Sequence, residues 1–137
     1  MRLAYVVTAI GLCTAVVAAA VVLSFYSFSA EPVVFSKEAW HRLRPDLESS
    51  ADPGCTLGPL AQGLMRSGQM NQKSEQYVLE QLGQPSKRQN LDLIYAVGQC
   101  HGWGWHPSEL VLHLSENRKV VKVEPRKVAP VIPSDLP

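Results

Sequence analysis

The spacing of apolar and polar positions passes from unbroken, to helical, to alternating along this chain. Leu3 to Phe28 is one apolar run without a charged residue. A bilayer-crossing helix needs about 20 apolar residues, and the core of a cleaved signal peptide has about 7–15. The run is therefore expected to be an uncleaved transmembrane anchor within residues 1–30, with Tyr26 and Phe28 at the far interface, where aromatic rings collect. Cleavage after Ser29, releasing a secreted domain, is the alternative. Helical spacing follows. Ser36 can cap a short helix over 36–44, Phe35 and Trp40 have staple spacing, Trp40 and Leu43 share a face, and Pro45 is expected to stop the helix. The acidic, Ser-rich stretch 46–55 reads as a loop. Leu57, Leu60, Ala61 and Leu64 then repeat at i, i+3, i+4 and i+7, with Pro59 in the first turn and Gly68 as terminator. Gly63 in mid-helix costs about 1 kcal/mol against Ala. In "SEQYVLEQLGQP" Ser74 caps, Val78 and Leu82 stack, Leu79 joins Leu82 at i+3, and Gly83 and Pro85 end the helix.

Beyond residue 90 the period becomes two. Leu91, Leu93, Tyr95 and Val97 share one face, as do Leu110, Leu112 and Leu114, with His113 opposite and solvated. "ENRK" turns the chain, Asn117 tolerating the positive φ of a short hairpin, into a third strand at 120–124. Residues 125–137 hold four prolines and read as a mobile tail. The expected fold is α+β: two short helices packed on a three-stranded antiparallel sheet, ααβββ, behind a transmembrane helix.

Charge narrows the function. Thirteen Lys and Arg face twelve Asp and Glu, a net charge of +1. Such a balance gives no footprint for a phosphate backbone, so nucleic acid is not expected as a partner. Of three cysteines, Cys13 lies within the apolar run, followed by fifteen more apolar or small residues, which rules out lipidation there. Cys55 and Cys100 read most simply as one disulfide, with two free thiols as the alternative. Lys37, Arg42 and Arg44 alone would hold the domain inside. Signal-like N-terminal segments nonetheless send the following domain outwards, and a disulfide favours the same side. The expected placement is a bacterial inner membrane, crossed once, with the C-terminal domain in the periplasm and residues 3–28 as the membrane contact.

"GQCHGWGWHPSE", 98–109, concentrates the chemistry-bearing side chains. Cys55, Cys100, His101 and His106 are competent zinc ligands, but they form no C-x₂-C pair and no H-x₃₋₅-H pair on a helix. Cys100 beside His101 does not make a nucleophile and its base, because successive strand residues face opposite ways. Gly98, Gly102 and Gly104 precede no helix, so they do not cradle a phosphate. No catalytic residue, metal or cofactor is expected. The stretch reads as a loop between two strands, with Trp103, Trp105 and His106 as candidate protein-contact residues, against the plainer reading that one or both Trp pack on the domain.

The stretch "LMRSGQMNQKSEQYVLEQLGQP", then "LIYAVG", a loop and "ELVLHLSENRKVVKVE", resembles the SmpA/OmlA family, which includes the BamE-like lipoproteins of outer-membrane assembly. Val78, Leu82, Gly83 and Pro85 match its helix-end motif, and Leu112, Val120 and Val123 its late strand positions. The resemblance implies a 56–124 domain that acts in the envelope by binding a protein, without enzyme activity. It departs from the family in its long anchor in place of a lipobox cysteine. The segment 31–55 with its helix, the cysteine pair and the Gly/Trp loop also lie outside the family pattern. Two other functions compete with it: a metal- or thiol-active envelope protein centred on Cys55, Cys100, His101 and His106, and a secreted inhibitor-like domain.

Overall fold

The computed structural model describes residues 16–22, 28, 30–50, 54–101 and 106–128, with His106 described by its backbone alone. Residues 16–22 are helical. After them come α1 (Lys37–Ser49), α2 (Gly58–Ser67) and α3 (Glu75–Leu82), then β1 (Lys87–Gln89), β2 (Asp92–His101), β3 (His106–Leu114) and β4 (Val120–Lys127). The strands form one antiparallel meander in the order β1-β2-β3-β4. The expected two helices on three strands are thus corrected to four helices and four strands among the described residues.

The membrane expectation is corrected too. Among the described residues no helix is long and apolar enough to cross a membrane. Phe28, expected at the far interface, instead forms an antiparallel bridge with His101. The single-pass inner-membrane placement rested on that helix and is corrected with it. The rest of the run, 3–15 and 23–27, lies outside the described residues.

Helix α1 starts as its sequence predicts. The Ser36 side chain accepts from the Ala39 N–H at 3.2 Å, and the Phe35 and Trp40 rings lie 6.1 Å apart. It does not stop at Pro45 but continues to Ser49. A proline removes one helical hydrogen bond, and tertiary bonds hold the turn just before it. Trp40 Nε1 and Arg44 Nη1 both donate to the Leu82 carbonyl, at 3.1 and 3.0 Å. His41 Nε2 meets the Gln81 carbonyl at 3.0 Å, and Arg44 Nη2 reaches that of Gln84. The Gln81 and Leu82 carbonyls stand at the end of α3, where a helix leaves them without partners of its own, and Gln84 follows just beyond it. The Arg44–Glu48 pair, at 3.2 Å, then bridges the proline.

Gly63 in α2 is explained by a close approach: a Cβ there would overlap the Val33 carbonyl oxygen. The segment ahead of α1 crosses the helix at this point, fastened by Val33 N–H donating to the Pro59 carbonyl at 3.2 Å.

Strand β1 was not expected. It is three exposed residues joined to β2 by the two-residue turn Asn90–Leu91, with Asn90 at φ 54. Leu91 belongs to that turn, and its partly buried side chain still packs against the core that Leu93 enters. Strand β2 runs on to His101, and its register against β3 slips between Ala96 and Gly98 and again between Gly98 and His101. Each slip inserts an extra β2 residue, the signature of a bulge. Gly98, at φ 103, supplies a conformation that side chains other than glycine rarely adopt. Strict alternation from Leu93, Tyr95 and Val97 would turn Cys100 outwards, and the slips bring it into the core.

The hairpin between β3 and β4 places the positive φ at Arg118 (57°) rather than Asn117. Strand β4 passes through Pro125, opposite Leu110, and ends at Lys127. It is an edge strand, where a missing N–H can face away from the ladder. The expected tail therefore loses 125–127 to the sheet, and 129–137 lie outside the described residues. Between helices and sheet, Trp40, Leu57, Leu64, Val78, Leu82, Leu93, Tyr95, Val97, Leu110, Leu112 and Val120 are buried. The Tyr95 hydroxyl donates to the Gly83 carbonyl at 2.9 Å, and burial raises its pKa above the ordinary tyrosine value.

Candidate functional site at the disulfide corner

The stretch 98–109 begins at the end of β2 and enters β3. Cys100 is joined to Cys55, just ahead of α2, in a disulfide with Cα atoms 4.7 Å apart. The backbone around Cys55 lies along the free edge of β2. Gln99 N–H donates to the Gly54 carbonyl at 2.6 Å, and Leu57 N–H to that of Val97 at 3.0 Å. This edge is therefore covered by the same loop that carries the cysteine.

Ser108 sits at the centre of the corner. Its Oγ accepts from Cys100 N–H at 2.9 Å and lies 2.6 Å from His101 Nδ1. The His101 ring meets Phe28 edge-on, with centroids 5.5 Å apart. A hydroxyl bonded to an imidazole can form a nucleophile. Here Ser108 is 1% and His101 4% exposed, so their contact is made in a buried corner. Cys55 and Cys100 hold each other rather than a metal. Among the described residues no group of three or more His, Cys, Asp or Glu side chains is arranged around a common ion position. His106 pairs with His101 through the backbone register. Trp103 and Trp105, the candidate contact residues, lie outside the described residues, as does the His106 side chain.

A cavity of about 350 Å³ opens beside the corner, lined by Leu47, Gly98, Gln99, Pro107, Ser108 and Glu109 among others. Glu109 forms its charged wall. Lys87 Nζ approaches Glu109 Oε1 at 2.8 Å, while Arg126 donates to Oε2 through Nη2 at 2.7 Å and Nε at 3.0 Å. Burial pushes the Glu109 carboxyl up, but these two cations outweigh it and hold the group below the ordinary carboxylate range. Sequence reasoning missed Lys87, Ser108, Glu109 and Arg126. No local motif marks them, since they meet only through strand register. Glu109, at a position alternate to Leu110 and Leu112, carried a signal of facing the other way, but not of having partners.

His113 is corrected from a solvated residue to a bridged one. Its Nδ1 lies 2.7 Å from Asp92 Oδ1 and its Nε2 2.9 Å from Glu124 Oε1. No family model matches this chain, and neither a curated protein nor a solved structure matches it.

Proposed function

We propose that this chain is a non-enzymatic protein-binding domain, related in plan to the SmpA/OmlA-like envelope proteins, and that its partner meets the disulfide corner. The observation that carries this reading is the open cavity lined by Gly98 and Gln99 of β2, Pro107 and Ser108 of β3 and the charged Glu109, next to the disulfide-bonded Cys100 in sequence. Such a rigidly framed recess with mixed lining suits recognition of a projecting side chain. The joined cysteines, which leave no free thiol at this corner, favour binding over thiol chemistry. The disulfide fits work in an oxidising compartment. Trp103, Trp105 and His106, on the segment that follows His101, are the residues assigned to the contact, since aromatic anchors carry much of the energy of interfaces.

A photo-crosslinking residue at Gln99 or Pro107, on the cavity rim, should trap one partner in cells. The same residue at Gln76, exposed on α3, should not. Trp103→Ala with Trp105→Ala should remove the rim adducts while the disulfide still forms. Adducts of equal yield from Gln76, or adducts unchanged in the double Trp variant, would remove this site.

A further inference from the structure

We propose that His113, with Asp92 and Glu124, is a proton-dependent clasp that ties the edge strand β4 to the centre of the sheet. The argument begins with proton counting. A neutral imidazole offers one N–H and one lone pair. Both ring nitrogens of His113 lie within hydrogen-bond distance of a carboxylate oxygen, Nδ1 at 2.7 Å and Nε2 at 2.9 Å. With both acids ionised, both contacts are favourable only when the ring carries both protons. With one proton, a bare ring nitrogen faces an oxygen lone pair.

The neighbours decide where that proton sits. On β2 the ring faces Asp92. On β4 it faces Lys122, its cross-strand partner, and Glu124, which pairs with Lys122. On β1 the register places uncharged Gln89 beside Asp92. Lys122 first, and His113 second, hold the Glu124 carboxyl below the ordinary carboxylate range, so that acid is an acceptor. Lys122 satisfies a second edge of the same carboxylate and leaves the ring contact in place.

The clasp joins three strands. Asp92 belongs to β2, His113 to β3 and Glu124 to β4, the outermost strand. Beyond His113 the register of β3 and β4 slips, so the clasp stands at the last regular pair before that irregularity. When the ring loses a proton, one of the two links becomes repulsive and β4 is held by its backbone alone at this row. The clasp is complete when the ring carries both protons and weakens once rising pH has removed one of them. This sense is opposite to that of the Glu109 cluster on the same face, which gains as pH rises.

Two measurements on the full chain test this. Nitrogen-15 NMR of the ring should show both His113 nitrogens protonated at about pH 5.5, below the ordinary histidine range. Amide exchange in β4, corrected for intrinsic rates, should be about fivefold faster at about pH 8.5 than at about pH 5.5. His113→Gln should abolish that difference. A ring nitrogen without a proton at the lower pH, or an equal pH response in His113→Gln, would overturn the proposal. The ring measurement needs no variant, so the test stands even where His113→Gln folds poorly.

Discussion

The two faces of the sheet are removed from water in different ways. The inner face places Leu93, Tyr95, Val97, Leu110 and Leu112 against helices carrying Trp40, Leu57, Leu64 and Val78, with a disulfide at one end. The outer face has no helix among the described elements packed on it in this way, yet Ile94 and Val111 are 0% and 1% exposed. They are paired across β2 and β3, outside the inner core. Ion pairs link the strands of this sheet around them: the Lys87–Glu109 bridge joins β1 to β3 and so crosses β2, and the Asp92–His113–Glu124 chain crosses β3. Long charged side chains can bury apolar surface beneath their stems while their ends stay wet. The comparison teaches that burial by helices depends on shape, whereas burial under ion pairs depends also on charge, salt and pH.

The inner face should give the largest loss. Trp40 is fully buried and donates to the Leu82 carbonyl. Trp40→Ala should cost roughly 5 kcal/mol, the upper end for a large aromatic in a core, read by urea denaturation. A loss under 2 kcal/mol would mean that α1 is not part of the inner core. Removing the disulfide comes next. Its cysteines are 45 residues apart, and the loop-entropy relation gives about 4 kcal/mol for closing such a loop. Cys55→Ser with Cys100→Ser should therefore lower stability by that order, and the same protein after reduction should match it.

The inner face was largely legible in the sequence, because its rule is periodicity. Val78 and Leu82 at i, i+4, and the alternation of Leu93, Tyr95 and Val97, follow from side-chain direction alone. Cys100 was paired by counting cysteines, while the bulges that turn it inwards were invisible: a slip of register is a property of two strands together. The ends of elements failed where distant residues intervened, as at Pro45, carried within α1 by bonds to α3, and at Pro125, admitted because β4 is an edge. The outer face was least legible. Ile94 and Val111 occupy positions that alternation assigns to water, yet they are buried, on a face whose neighbouring rows carry charges paired between strands. A sequence shows Lys87 and Glu109 but not that β1 exists to bring them together.

Ile94→Ala tests whether the outer face is truly a second packed layer. A fully buried Ile should cost about 3 kcal/mol on truncation, while an outward-facing residue would cost well under 1 kcal/mol. Thermal denaturation of this variant beside Val121→Ala, whose side chain is half exposed on β4, separates the two cases. Equal, small losses would make the outer layer only a row of ion pairs.

The smallest effect belongs to the charges themselves. Lys87 and Arg126 are 51% and 39% exposed at the side chain, so solvent screens their pairing with Glu109. Glu109→Gln should cost about 1 kcal/mol near neutral pH. The sign with pH follows from the carboxyl being held below the ordinary carboxylate value of 4.5 by Lys87 and Arg126 against the opposing push of burial. A group depressed in this way stabilises the fold above its unfolded value. That contribution is lost as pH falls through its folded value. The gap between the protein and Glu109→Gln should close on acidification, and should narrow in high salt, which screens exposed charges. Trp40→Ala supplies the contrast, because its loss arises from shape and should hardly change with salt. If both losses respond to salt alike, the two faces are buried by the same physics and the distinction drawn between them fails.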